Sequence, residues 1–84
     1  MSKKLFIGNI EWSTTEEDLK ELFGQQGEVE EAIIIKDRMS GRSKGFGFVT
    51  FADDADADKA IETLNGHDLN GREIVVNEAR AREF

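Results

Sequence analysis

The sequence predicts an α+β domain of the ferredoxin-like class, a split βαβ sandwich in the order strand, helix, strand, strand, helix, strand. Four runs with strand character, Lys4–Ile10, Val29–Lys36, Lys44–Phe51 and Glu73–Asn77, are separated by turn-forming residues or by helical stretches. Two stretches repeat apolar residues at helical spacing: Leu19, Leu22 and Phe23 in one, and Ala57, Ala60, Ile61 and Leu64 in the other. The chain has 84 residues and no cysteine, so one core is expected and no disulfide framework or thiolate metal site is available. Right-handed crossovers then set both helices behind one four-stranded antiparallel sheet, and its other face stays open.

Taken in order, Lys4–Ile10 sends Leu5 and Ile7 to one side and Lys4, Phe6 and Gly8 to the other. Ser13-Thr14-Thr15-Glu16-Glu17 supplies a helix start, with Thr14 and Glu17 at capping-box spacing and acids in the first turn. Trp12, just ahead of it, either stacks a ligand from the loop or covers the helix start, and the covering role is the expectation. The helix stops within Gly24–Gly27. Ala32-Ile33-Ile34-Ile35 centres the next strand, where three consecutive isoleucines leave the register open. A basic loop follows: Lys36, Arg38, Arg42 and Lys44 stand against Asp37 alone. The second helix spans Asp53–Asn65 and ends at Gly66. Asn70-Gly71 marks a tight turn before the last strand, in which Ile74 and Val76 face inward and Asn77 outward.

Lys44-Gly45-Phe46-Gly47-Phe48-Val49-Thr50-Phe51 does not fit an ordinary half-buried strand. Alternation puts Phe46, Phe48 and Thr50 on one face and Gly47, Val49 and Phe51 on the other, so whichever face is buried, aromatic rings remain outside. Exposed paired phenylalanines on a sheet call for a flat ligand. All eight positions fit the longer ribonucleoprotein signature, and Leu5-Phe6-Ile7-Gly8-Asn9-Ile10 resembles the shorter one. From Lys3 to about Arg80 the chain thus resembles an RNA-recognition motif, both as found in small single-domain bacterial proteins and as found in glycine-rich RNA-binding proteins. The glycine-rich tail of the latter has no counterpart within these residues. Gln26 stands where many members of the family carry an aromatic.

The resemblance implies that the two signature strands lie side by side in the middle of the sheet, gathering Phe6, Phe46 and Phe48 on the open face. It also implies that Ile34 faces the core while Ile33 and Ile35 line the outer face. The expected ligand is single-stranded RNA, because unpaired bases can stack on the rings whereas a duplex hides its faces. Single-stranded DNA stays open as an alternative, since stacking alone tolerates both. Lys4 and Lys44 are expected on phosphates, with Arg42 from the loop and Arg80 and Arg82 from the tail. Asn77, and the main chain near Ala79 and Arg80, would read base edges. One domain over 1–84 is expected, with a core of about 3–80 and a tail at 81–84 that either crosses the sheet or is disordered.

Net charge is −7, which argues against a nucleic-acid partner until its distribution is considered. The two helical stretches hold nine acids and two bases, so they carry the whole excess, and the rest of the chain is neutral with a locally basic loop. An acidic back and a basic front suit weak, oriented binding. No apolar run approaches the ~20 residues of a membrane span, and Met1-Ser2-Lys3-Lys4 leads directly into a strand pattern. A soluble, unprocessed, cytoplasmic monomer is expected, without a cofactor, a membrane contact or a small-molecule substrate.

Other readings are weaker. Asp54, Asp56 and Asp58 mimic the opening of a calcium loop, but Lys59 and Asn65 stand where its glycine and glutamate belong. A single histidine, His67, and the lack of any paired nucleophile and base leave nothing to assemble a catalytic site. Gly45-Phe46-Gly47 does not extend to a dinucleotide fingerprint, because Thr50 occupies the place of the third glycine. A protein-binding module on the same fold is the alternative, with the acidic helices meeting a basic partner.

Overall fold

The computed structural model describes residues 2–36, 39–41 and 43–79, apart from the side chains of Ser43 and Lys44. In chain order come β1 (Lys3–Gly8), α1 (Glu16–Gly24), β2 (Val29–Lys36), β3 (Ser43–Phe51), α2 (Asp54–Leu64), β4 (Asp68–Leu69), β5 (Arg72–Glu73) and β6 (Val75–Glu78). The main sheet is antiparallel with the spatial order β2-β3-β1-β6, so the two phenylalanine-bearing signature strands are its centre. Both helices contribute to one core against one face of this sheet.

Alternation along the central strands decides what that face carries. Leu5 and Ile7 of β1 lie opposite Val49 and Gly47 of β3, and the apolar members of this set are fully buried with Leu19 and Phe23 of α1 and Ala57 and Ala60 of α2. Phe23 meets Phe51 edge-on at 6.3 Å, tying α1 to the sheet. The isoleucine register resolves as expected: Ile34 is in the core, and Ile33 lies across from Phe48 on the other face. Gly47 is the residue that lets β2 come this close, because a β-carbon there would stand 2.2 Å from the carbonyl oxygen of Ile33. Beyond Ile34 the pairing becomes irregular before Lys36 meets Ser43. At this sheet edge, the amide of Ile34 donates to Oε2 of Glu16 at 3.0 Å, so a side chain of α1 occupies a position where another strand would pair.

Three local expectations are corrected. The capping box of α1 falls one residue later than Thr14 and Glu17: Thr15 Oγ1 accepts from the amide of Asp18 at 3.2 Å, and Asp18 Oδ2 accepts from the amide of Thr15 at 3.1 Å. Thr14 is instead buried, its Oγ1 accepting from Nδ2 of Asn70 at 2.9 Å. Residues 73–77 do not form one strand. Arg72–Glu73 pairs back on Asp68–Leu69 across Asn70 (φ 55°) and Gly71 (φ 92°), a turn with both central residues left-handed. Ile74, inward-facing as expected, joins hairpin to sheet: its amide donates to the His67 carbonyl at 3.0 Å, and its carbonyl accepts from Gly66 at 2.8 Å. The second helix is Asp54–Leu64, flanked by Asp53 and Asn65 as its caps, and Asp53 Oδ1 accepts from the amide of Ala55 at 2.9 Å.

Candidate nucleic-acid interface

The face away from the helices is organised by cross-strand pairs. Phe6 lies opposite Phe48 on one side and Asn77 on the other, and Phe48 lies opposite Ile33. Directly opposed residues share a face, so Asn77, Phe6, Phe48 and Ile33 form a row across all four strands. The next row is Lys4, Thr50 and Glu31. Gly8 and Val75 continue the face toward the other end, where Val75 is exposed.

The rings form one cluster. Phe6 and Phe46 stack with centroids 5.8 Å apart and an interplanar angle of 29°. Phe48 meets Phe6 edge-on at 6.0 Å and Phe46 at 6.4 Å. The Phe6 ring lies over the backbone at Gly8, where a β-carbon would stand 2.9 Å from Cε2 of that ring. Phe6 and Phe46 are half-buried and present aromatic surface to solvent. Phe48 is only 7% exposed, and Lys4 Nζ stands 5.0 Å from its ring centroid. The expectation that Phe48 is exposed alongside Phe6 and Phe46 is therefore corrected: alternation fixes its face, but its neighbours cover much of it.

The two adjacent lysines have different surroundings because β1 alternates. Lys3 points to the helix side, where Nζ donates to Asp58 at 2.7 Å and lies 3.7 Å from Glu78. The hydrogen bond to Asp58, opposed by desolvation and supported by nearby carboxylates, raises its pKa above the ordinary value of 10.5. Lys4 stays on the open face with its charge over an aromatic ring. Glu31 places a carboxylate at the β2 edge of the same face.

Ile33 and Ile35 are half-buried, and Asn77 is exposed beside Phe6. Arg42, Arg80 and Arg82 lie outside the described residues, as do the side chain of Lys44 and the two expected courses of the tail. Trp12 does not cover the helix start; it is 75% exposed. Residue pattern alone does not decide between the two roles, because the exposure depends on a turn closed by hydrogen bonds between Glu11, Ser13 and Thr14. Val75 was also missed, although its alternation with Ile74 and Val76 points to the open face. Among the described residues, no three histidine or acidic side chains converge on a metal-sized site, and no helix is long and apolar enough to cross a membrane.

A family model described as RNA recognition motif matches residues 5–75. Glycine-rich RNA-binding protein 1 of Mycosarcoma maydis is 49% identical over 98% of this chain and 47% of its own length. Small RNA-binding protein 11, chloroplastic, of Arabidopsis thaliana is 52% identical over 99% of this chain and 57% of its own. The chain spans about half the length of these relatives. A solved structure titled RNA Binding Protein PG1 superposes with a TM-score of 0.90 at 43% identity, covering 98% of this chain and 99% of that one.

Proposed function

Because the chain belongs to the RNA recognition motif family, we propose that its open sheet face binds single-stranded RNA, with unpaired bases stacking on Phe6 and Phe46 and then on Phe48. The observation that carries this reading is the stacked Phe6–Phe46 pair, 5.8 Å apart and half-exposed on the face opposite α1 and α2. Each base stacked on such a ring contributes ~1–3 kcal/mol by alanine substitution. Bases in a duplex keep their faces hidden and cannot use the site.

Lys4 serves both ring and phosphate. To reach Phe48 a base must displace its ammonium, which then lies where a phosphate accompanies the base. Lys44, Arg42, Arg80 and Arg82 add phosphate contacts at the margins, Ile33 and Ile35 add apolar contact toward β2, and Asn77 offers donors and acceptors to a base edge beside Phe6. Single-stranded DNA fits the same platform; the 2′-hydroxyl is what separates the two. The domain works as one unit over about residues 3–80, as a monomer, by binding and without catalysis. A post-transcriptional or RNA-chaperone role in a reducing compartment such as the cytoplasm suits weak, oriented binding by a chain without cysteine.

The test is titration of folded Phe46→Ala with single-stranded RNA at fixed ionic strength. A loss of affinity of about tenfold or more is expected from the stacking magnitude. Unchanged affinity in a folded variant refutes the proposal.

A further inference from the structure

The chain holds four asparagines, and two of them precede glycine, in Leu64-Asn65-Gly66 and Leu69-Asn70-Gly71. Glycine in that place favours one covalent reaction, because no side chain shields the following backbone nitrogen from the asparagine amide. That nitrogen gives up its proton and attacks Cγ, a five-membered imide closes, and the side-chain nitrogen departs as ammonia. Water then opens either imide carbonyl, leaving aspartate or, with the backbone rerouted through the side chain, isoaspartate. One amide and one water have become one carboxylate and one ammonium ion. Asn9 and Asn77 are followed by Ile10 and Glu78, whose side chains crowd the same approach.

The two Leu-Asn-Gly triplets are alike in sequence and in local space. Both glycines have a left-handed φ, 85° at Gly66 and 92° at Gly71, with open space around them. They differ in what ties the reacting groups down. Asn65 Oδ1 accepts from the amide of Val76 at 3.0 Å, and the amide of Gly66 donates to the carbonyl of Ile74 at 2.8 Å. Val76 and Ile74 are buried, so freeing Asn65 means lifting β6 from β1. Asn70 Nδ2 donates to Thr14 Oγ1 at 2.9 Å and to Asp18 Oδ2 at 3.5 Å, and the amide of Gly71 donates to Oδ1 of the exposed Asp68 at 3.0 Å. β4 and β5 form a sheet of their own, two residues a side, so this hairpin can open while the four-stranded sheet stays closed.

We propose that Asn70 is a site of spontaneous deamidation, gated by opening of the β4–β5 hairpin, whose product uncouples that hairpin from α1. Closed, the hairpin protects the site: the Gly71 nitrogen keeps its proton on Asp68, and the Asn70 amide is pinned to Thr14. Open, both groups are released together, as in a free chain. The product does not restore the closed contacts. A carboxylate at position 70 has no hydrogen for Thr14 Oγ1, and it stands beside Asp18, whose Oδ2 completes the capping box of α1. Like charges then meet where a donor met acceptors. The reaction runs one way, so the turn keeps a record of its openings.

Asn65 serves as the control inside the same molecule. The folded protein is incubated beside a sample in urea, and peptide mapping by mass spectrometry follows deamidation at both positions. In the folded protein Asn70 is expected to react about fivefold or more faster than Asn65, the ratio that one net hydrogen bond makes in an opening equilibrium, whereas in urea the two rates should be comparable. Thr14→Val, which keeps the side-chain shape and removes the acceptor, should speed Asn70 severalfold and leave Asn65 unchanged. Equal rates in the folded protein overturn the gating, as does an Asn70 rate no slower than in urea. A Thr14→Val effect that is absent, or shared by Asn65, overturns it too. For the product, hydrogen exchange of Asn70→Asp is compared with that of the unmodified protein. The amides of Thr15, Asp18 and Gly71 should exchange faster and those of β1 and β3 at the same rate. Unaltered exchange at Thr15 and Asp18 overturns the uncoupling.

Discussion

Phe48→Ala should lower stability as well as RNA affinity, because the ring is 7% exposed although it lies on the open face. Burying a phenylalanine is worth ~1.5–3 kcal/mol. Edge-on contacts with Phe6 and Phe46 add ~0.5–1.5 kcal/mol each. The Lys4 ammonium over the ring adds ~0.5–1 kcal/mol. The site opens to solvent once the ring is gone, so no closed cavity adds to the cost, and these terms overlap; about 3 kcal/mol is the expected loss. A chain of this size has ~4–13 kcal/mol in total at 0.05–0.15 kcal/mol per residue, so the variant still folds, with much of its margin removed. Urea unfolding followed by far-ultraviolet circular dichroism measures it. With an m-value of ~1 kcal/mol/M the midpoint should fall by about 3 M, and Phe46→Ala, which removes a half-exposed ring, should cost clearly less. A midpoint that moves by less than about 0.5 M in Phe48→Ala would mean that the ring is open in solution and that the covering by its neighbours is not real.

Further outcomes follow from single contacts. Gly47→Ala places a β-carbon 2.2 Å from the Ile33 carbonyl oxygen, so β2 must shift; a loss of about 2 kcal/mol or more is expected by thermal unfolding, and an unchanged midpoint would contradict the strand spacing. Asn70→Gly preserves the left-handed backbone but removes the donor to the buried Thr14 hydroxyl, at a cost of about 1 kcal/mol; retained wild-type stability would show that this bond contributes nothing. The raised pKa of Lys3, caused first by its bond to Asp58, stabilises the fold fully below the unfolded value near 10.5, and this contribution disappears as pH rises through the folded value. Lys3→Met should therefore flatten the alkaline fall in stability above pH 10.5, and identical alkaline unfolding of both proteins would remove the Lys3–Asp58 pair from the account.

What could be read from the residues alone divides along physical lines. Strand and helix order is a matter of period, and Leu5, Ile7, Val49, Leu19, Phe23, Ala57 and Ala60 stand where period puts them. The choice of Ile34 over its neighbours came from resemblance, since three isoleucines carry no alternation of their own. Matters of one residue or one neighbour were not legible. Thr14 and Thr15 compete for the same cap, and the winner is settled by Asn70, which arrives from far along the chain and takes Thr14. Trp12 looked like a lid on α1 because packing is the common fate of an indole, whereas the Glu11–Thr14 turn aims it outward. For Phe48, alternation names the face but not the coverage, which comes from rings and an ammonium on β1 and β3 together.

Unpaired bases on the sheet face bearing Phe6, Phe46 and Phe48 would leave a direct spectroscopic trace. Backbone chemical-shift perturbation by a short single-stranded RNA, with the matching duplex as control, locates the contact without any substitution. Amides of β1 and β3, together with Asn77 of β6, should move on addition of the single strand and stay largely still with the duplex. Shifts gathered on the exposed faces of α1 and α2, with β1 and β3 unmoved, would contradict the account.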